Sequence, residues 1–266
     1  AYDDFCLARF AASLNEQGDA AAFRKRALNW HKVFDDETGF VRGRWRDGRW
    51  DEPFDPRVKS SYITEATPWV YSWYVPHDIA GLVEAMGGRE LFVEKLDRFF
   101  DGGFYAHDNE PSHHIAYLYS FAGAPWRTSD RVRSALRDHY QALPGGLGGN
   151  DDAGQMSAWF VFSAMGFYPV CPGTTQYIIG SPIFPKVTIH LNGPPYRGET
   201  FTVIANNVSA DNRYIQSAHL NGAAWNKPWF DHSAIVEGGV LEFDMDPEPN
   251  RAWGSDSADA PFSLSR

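Results

Sequence analysis

Two adjacent acids, Asp151 and Asp152, stand in GNDDAG just ahead of the apolar run MSAWFVFSAMGFYP. A carboxylate at a helix start accepts backbone N–H groups, and the helix dipole favours its ionised form. One acid suffices as a cap, whereas a second beside it adds like-charge repulsion. The preceding PGGLGGN is a loop that lets backbone lie close to a ligand. The pair therefore reads either as a structural cap or as an ionised carboxylate able to act as a general base.

A second stretch, YAHDNEPSHHIAYLY at 105–119, crowds His107, Asp108, Asn109, Glu110 and His113 into one loop, with His114 beside them. Pro111 suits a first helical position. The histidines suggest zinc, yet neither His-Glu-x-x-His nor His-x-x-Glu-His spacing is present. Amide and carboxylate oxygens with loop carbonyls suit a hard cation such as Ca²⁺ better. The alternative is a polar loop whose histidines bond to neighbouring helices.

The third stretch is SYITEATPWVYSWYVPHDIAGLVEAMGG. Glu65 lies just ahead of a helix with Tyr62, Trp69 and Trp73 near it, and a carboxyl packed against rings loses hydration, which keeps it protonated. Otherwise it is a first-turn Glu answering the helix dipole. His77 and Asp78 follow inside the apolar pattern and read as a buried pair. Taken together, a protonated Glu, an ionised Asp and an oxygen-rich loop are equipment for cleaving a glycosidic bond.

Helices must position these groups. Apolar spacing of three and four predicts them over 2–17, 20–34, 69–86, 90–100, 111–121, 130–142 and 152–167. Gly18-Asp19 reads as the first turn, and 35–60 as a polar loop. This is an α/α array, either a solenoid or part of a closed toroid. After Pro172, YIIGSP, KVTIHL, TFTVIANNV, YIQSAHLNG and VLEFDM alternate with period two, predicting an antiparallel β region of five to seven strands. The fold class is mainly α with a β-rich tail, divided into 1–171 and 172–266.

A net charge of −10 over 266 residues argues against nucleic-acid partners, since phosphate binding needs Lys and Arg in excess. Aromatic residues make up 15%, with ten Trp, which serves sugar faces as well as cores. No apolar run is long enough to span a membrane. The chain starts without Met or a charged leader, so it reads as the C-terminal part of a longer polypeptide. Cys6 and Cys171 either pair or stay free.

TEATPWVYSWYVPHDIAGLVEAMGG, HDNEPSHHIAYLY, GNDDAGQMSAWFVFSAMGFYPVCPG and YIIGSPIF, in this order, resemble glycoside hydrolase family 92, the calcium-dependent exo-α-mannosidases. The resemblance also takes in FRKRALNWHKVFDDETGF and is weakest over the last forty residues. It implies an inverting hydrolase with an N-terminal β-sandwich and a C-terminal (α/α)6 domain. This chain would hold the second half of that toroid plus the terminal β region, and the upstream parts would be required. Glu65 matches the general acid, Asp152 the base and Asp151 its neighbour, while Asn109 and Glu110 match the segment that helps hold Ca²⁺. His107 and Asp108 match the place of the sugar beyond the cleaved bond, with Trp69 and His113 also expected at the sugar.

In that family the cation binds the cis O2 and O3 hydroxyls of mannose. The expected substrates are terminal α-mannosides of N-glycans or mannans, met in a secreted or periplasmic setting. Asp108 is shorter than the Glu common in α-1,2-cleaving members, which leaves the linkage open. Glu65 favours an ordinary glycosidic bond over a mannosyl phosphodiester. The competing readings are a mannose-binding module without turnover and an inert fragment.

Overall fold

Phe5, Ala8 and Ala11 form the buried stripe of α1 (Tyr2–Ser13), beside which α2 (Gln17–Arg26) returns. The turn between them lies at 14–16 rather than at Gly18-Asp19. Asn15 takes the left-handed conformation there (φ 64°), which Asn tolerates, and α2 continues through Gly18 and Asp19. The computed structural model describes residues 1–266. They divide into two units: Ala1–Ala106 with Cys171–Thr174 and Ser263–Arg266, and His107–Val170 with Thr175–Phe262. The change from helix to strand falls between α7 (Gln155–Met165) and β3 (Phe167–Tyr168), while the units interleave along the sequence.

In the first unit a short 3₁₀ helix, Ala27–Lys32, follows α2 and leads into the hairpin of β1 (Phe34–Asp35) and β2 (Phe40–Val41). Buried Arg42 organises the polar loop beyond. It donates to Asp35 (3.0 Å), to the Asp51 carbonyl oxygen (2.7 Å) and to Glu52 (2.6 Å), with Phe54 against its guanidinium. The helix expected over 69–86 is broken into α3 (Pro68–Tyr71) and α4 (Ile79–Ala85). Pro76 removes an N–H and drives Val75 out of helical backbone. The last helix of the unit is α5 (Arg89–Asp101).

His77 and Asp78 are both buried, as expected, but each has its own partners. His77 Nε2 donates to the Ala27 carbonyl oxygen (2.9 Å). Asp78 accepts from Trp30 Nε1 (3.2 Å), Ser263 Oγ (2.9 Å), and both Ser265 N (2.9 Å) and Ser265 Oγ (2.7 Å). That carboxylate fastens residues 263–265 to the unit. Cys6 and Cys171 are free thiols, and burial pushes the Cys171 thiol up.

The second unit opens with 3₁₀ turns at Glu110–Ser112 and Ile115–Ala122 in place of one helix over 111–121. Every residue of Ile115–Ala122 is buried, so surrounding packing rather than a single apolar stripe sets the winding. The next helix, α6 (Pro125–Asp138), starts earlier than expected because Pro125 supplies a first-turn position. Two sheets follow, with β4 (Gln176–Ile179) between β3 and β9 (Trp229–Asp231). The larger runs β5 (Lys186–His190), β6 (Thr200–Asn206), β10 (Gly239–Asp246), β7 (Tyr214–Leu220), β8 (Ala223–Ala224).

Phe201, Val203 and Ala205 alternate into the core from β6, with Val203 opposite Leu241 and Ala205 opposite Phe243 of β10. Each large apolar side chain buried this way contributes about 1.5–3 kcal/mol. The sheet is not wholly antiparallel: β10 runs parallel to β6. The segment 207–238, which includes β7 and α8 (His232–Val236), is long enough to bring the chain back and insert β10 between β6 and β7. Period-two alternation carries no strand direction.

Candidate active site

The two acids at 151 and 152 divide their work. Residues 152, 153 and 154 all have left-handed backbone (φ 46°, 59° and 98°), so α7 starts at Gln155 and Asp152 is not its cap. Asp151 does the capping: its Oδ1 accepts from Ser157 N (2.9 Å), and its carbonyl oxygen accepts from Gln155 N (2.7 Å). Asp152 is exposed, and only its backbone takes part, with its carbonyl oxygen 3.4 Å from Gln155 N. One carboxylate is thus held as structure while its neighbour projects from a strained turn.

That loop is seated directly against the second stretch. A Cβ on Gly149 would lie 2.5 Å from the Asp108 carbonyl oxygen and 2.8 Å from its Cα, closer than atoms can pack. Only glycine lets the two backbones meet. Asp108 is exposed beside this contact. Asn109 Oδ1 accepts from Glu110 N (3.0 Å) and so starts the turn Glu110–Ser112. The amide and carboxylate oxygens of Asn109 and Glu110 are the right kind of donor for a hard cation, which takes six to eight oxygens. No group of three or more His, Cys, Asp or Glu side chains gathers anywhere in the chain as a ligand set. Two side chains fit in kind, and loop carbonyls, water and a bound diol would have to complete the number.

His107 and His113, expected at the sugar, are 1% and 2% exposed and are engaged internally. His113 Nε2 lies 3.1 Å from the His107 carbonyl oxygen, so that nitrogen carries the proton. Its Nδ1 then accepts from Gln155 Nε2 (3.3 Å), and its own carbonyl oxygen accepts from Trp159 Nε1 (2.8 Å). His107 Nε2 lies 2.7 Å from the Tyr140 hydroxyl. Burial, then the neighbouring His113 and His139, pushes His107 down to about 2, and burial lowers His113 too. Both rings are neutral struts. They hold the 107–113 loop to α7 instead of offering a face to a ligand.

Glu65 sits in the first unit at the apex of a three-residue turn, with φ 68° and Ala66 N donating to the Thr64 carbonyl oxygen (2.9 Å). This conformation is rare and strained outside glycine. Glu65 is exposed, which corrects the expectation of a carboxyl sunk among rings. Trp73 is fully buried, and Trp69 is stacked on Phe104 (5.0 Å, 13°) with Phe40 edge-on (4.7 Å). Trp69 lines a cavity of about 430 Å³ with Phe40, Asp36, Glu37 and Lys95. There Lys95 Nζ lies 3.7 Å from the centre of the Phe40 ring and donates to the Gly39 carbonyl oxygen, and burial draws its pKa to about 7.

Six non-glycine residues have positive φ: Asn15, Glu65, Asp152, Ala153, Asn207 and Asn221. The three asparagines are the usual tolerated case. The other three include the two acids singled out as donor and base. The structure brings Asp108, Asn109, Asp151 and Asp152 onto abutting loops of the second unit, with Glu65 and Trp69 in the first. Sequence reasoning singled out the PGGLGGN loop that contains Gly149 but not its contact with Asp108, and it missed Tyr140 and Gln155. For the latter two the only available signal was position, since they lie on either side of the glycine-rich loop.

Residues 1–247 match the model of the family described as glycosyl hydrolase family 92 catalytic domain. A family GH92 inverting mannosidase from Bacteroides thetaiotaomicron VPI-5482 is 38% identical with a TM-score of 0.93, covering 100% of this chain and 39% of that one. A GH92 α-mannosidase of Bacteroides thetaiotaomicron in complex with mannoimidazole is 35% identical with a TM-score of 0.93, covering 98% and 37%. An uncharacterized secreted glycosidase of Arthroderma benhamiae is 31% identical over 291 residues, covering 99% of this chain and 36% of that protein. The chain thus spans well under half the length of these relatives.

Proposed function

Because the chain belongs to glycosyl hydrolase family 92, we propose that it carries catalytic residues of an inverting exo-α-mannosidase acting on terminal α-mannosides of N-glycans or mannans. The observation that carries this reading is backbone strain. Glu65 and Asp152 both occupy left-handed backbone, which costs about 1–3 kcal/mol and persists where a side chain must be aimed. Glu65 donates a proton to the leaving glycosidic oxygen. Asp152 takes the proton from a water that attacks the anomeric carbon on the opposite face. A single displacement of this kind inverts the anomeric centre. Asp151 fixes the start of α7, and Asp108 faces the sugar beyond the cleaved bond.

Asn109 and Glu110 would hold Ca²⁺, which when bound supplies a hard positive charge for the vicinal O2 and O3 hydroxyls of mannose. His107, His113 and Trp69 act by packing and orientation. The family resemblance supports an upstream β-sandwich and a first half of an (α/α)6 toroid that complete the catalytic domain. A secreted or periplasmic setting is supported by the secreted fungal relative, and no helix here is long and apolar enough to cross a membrane.

The test is hydrolysis of an α-mannoside by the full-length protein, with the first-formed anomer followed by proton NMR. β-Mannose is expected to appear first. Binding of mannose without release would make the protein a lectin, and α-mannose appearing first would remove the inverting mechanism.

A further inference from the structure

Tyr140 is half-buried at the end of α6, where the loop toward Asp151 and Asp152 begins. Its backbone bridges to Leu147 across that loop, and Gln141 N donates to the Gly146 carbonyl oxygen (2.8 Å). Beyond the loop, its hydroxyl donates to the Met156 carbonyl oxygen in the first turn of α7 (3.2 Å). With the hydroxyl proton assigned to that bond, His107 takes the Nε2–H tautomer and donates in the 2.7 Å contact with the same oxygen. A directed chain results: His107 N–H to Tyr140 O–H to Met156 C=O. It joins the residue just ahead of the Asn109–Glu110 turn to the turn just after Asp152. The ring itself lies parallel to Trp159 (2°, centroids 5.9 Å) and packs on Phe160 (5.0 Å). Burial raises the phenol, which keeps its proton available for donation.

We propose that Tyr140 is a positioning residue that sets the Asp151–Asp152 loop against the Asn109–Glu110 turn through its hydroxyl. Its role rests on the reading of Asp152 as the base. The bonds from Gln155 and Trp159 to His113 also tie α7 to the 107–113 segment, from the first residue of the helix and from its second turn, but neither of these residues belongs to the loop before Asp151. Tyr140 is bridged to Leu147 within that loop and bonded to Met156 just beyond it.

Tyr140→Phe removes one oxygen and leaves the ring packing in place, so the full-length variant should fold with an almost unchanged melting temperature. Its kcat on an α-mannoside should fall about tenfold with little change in KM, as expected of displaced reacting groups. Amide exchange should accelerate over 150–157 and 107–113 and nowhere else. In a double-mutant cycle with His107→Ala, the second substitution should add almost nothing, because both break one chain. Unchanged exchange in both segments, or fully additive losses, would overturn the proposal. If the wild-type protein releases no mannose, the mannosidase reading fails while the exchange measurement still decides the role of Tyr140. Should His107→Ala not fold, exchange and kcat of Tyr140→Phe decide it.

Discussion

Gly149 abuts Asp108 so closely that a single methyl group on it would overlap the Asp108 carbonyl oxygen, at 2.5 Å. Two segments 41 residues apart therefore share one surface. The contact is between backbones and has no side chain that could yield.

Gly149→Ala should push the loops apart. A loss of about 1–3 kcal/mol is expected from overpacking, together with a fall in turnover of about tenfold or more. Gly145→Ala is the control, since its Cβ would meet only Leu143 Cδ1 at 3.9 Å. Equal behaviour of the two variants in urea unfolding and mannoside assays would contradict the packing argument.

Glu65→Gln and Asp152→Asn should differ in kind. Loss of the acid should suppress natural glycosidic substrates far more than activated aryl mannosides, whose leaving groups need no proton. Loss of the base should depress both alike. A Glu65→Gln variant equally impaired on both substrates would take Glu65 out of the donor role.

Chelator should abolish hydrolysis, and added Ca²⁺ should restore it. Asn109→Ala and Glu110→Gln should each raise the Ca²⁺ concentration needed for half-maximal activity. Full turnover in excess chelator would rule the cation out.

Arg42 and Asp35 form a buried ion pair with side chains 5% exposed on each side. Arg42→Ala leaves a buried carboxylate unpaired and should cost about 3–5 kcal/mol. Replacing both by apolar residues, Arg42→Met with Asp35→Leu, should be less damaging than the single change. Denaturant midpoints of the two variants measure this, and a double variant worse than the single one would refute it.

Stability should decline into acid. Burial lowers His77 below its ordinary value near ~6.5, so the unfolded chain takes that proton first and stability falls as pH drops through that range. Burial alone would raise Asp35, but bonds from Arg42, Thr38 and the Glu37 N–H outweigh it and hold its carboxyl low. Its contribution is present above about pH 4 and is lost as pH falls through the lower folded value. His77→Gln should flatten the slope between about pH 7 and about pH 5. Rising stability toward acid would reverse the sign and refute the assignment.

The residue types around Asp152, Asn109 and Glu65 were readable along the chain because catalytic chemistry needs particular side chains in short local patterns. Five strands from Gln176 to Asp246 were equally legible, since alternation is a local consequence of the pleat. Other features depended on contacts between distant residues. Pro76 splits one expected helix by a local rule that apolar spacing alone does not weigh, whereas local pattern did not reveal that β10 enters parallel to β6 or that Asp151 rather than Asp152 caps α7. Nor did it reveal that His107 and His113 turn inward as neutral struts while Gly149 lets two loops touch. Sequence by itself determined which functional groups are present and the periodicity of the elements carrying them. Tertiary structure alone decided which carboxylate is bound as a cap and which is left to project, because burial, backbone strain and hydrogen-bond partners arise only when remote segments pack together.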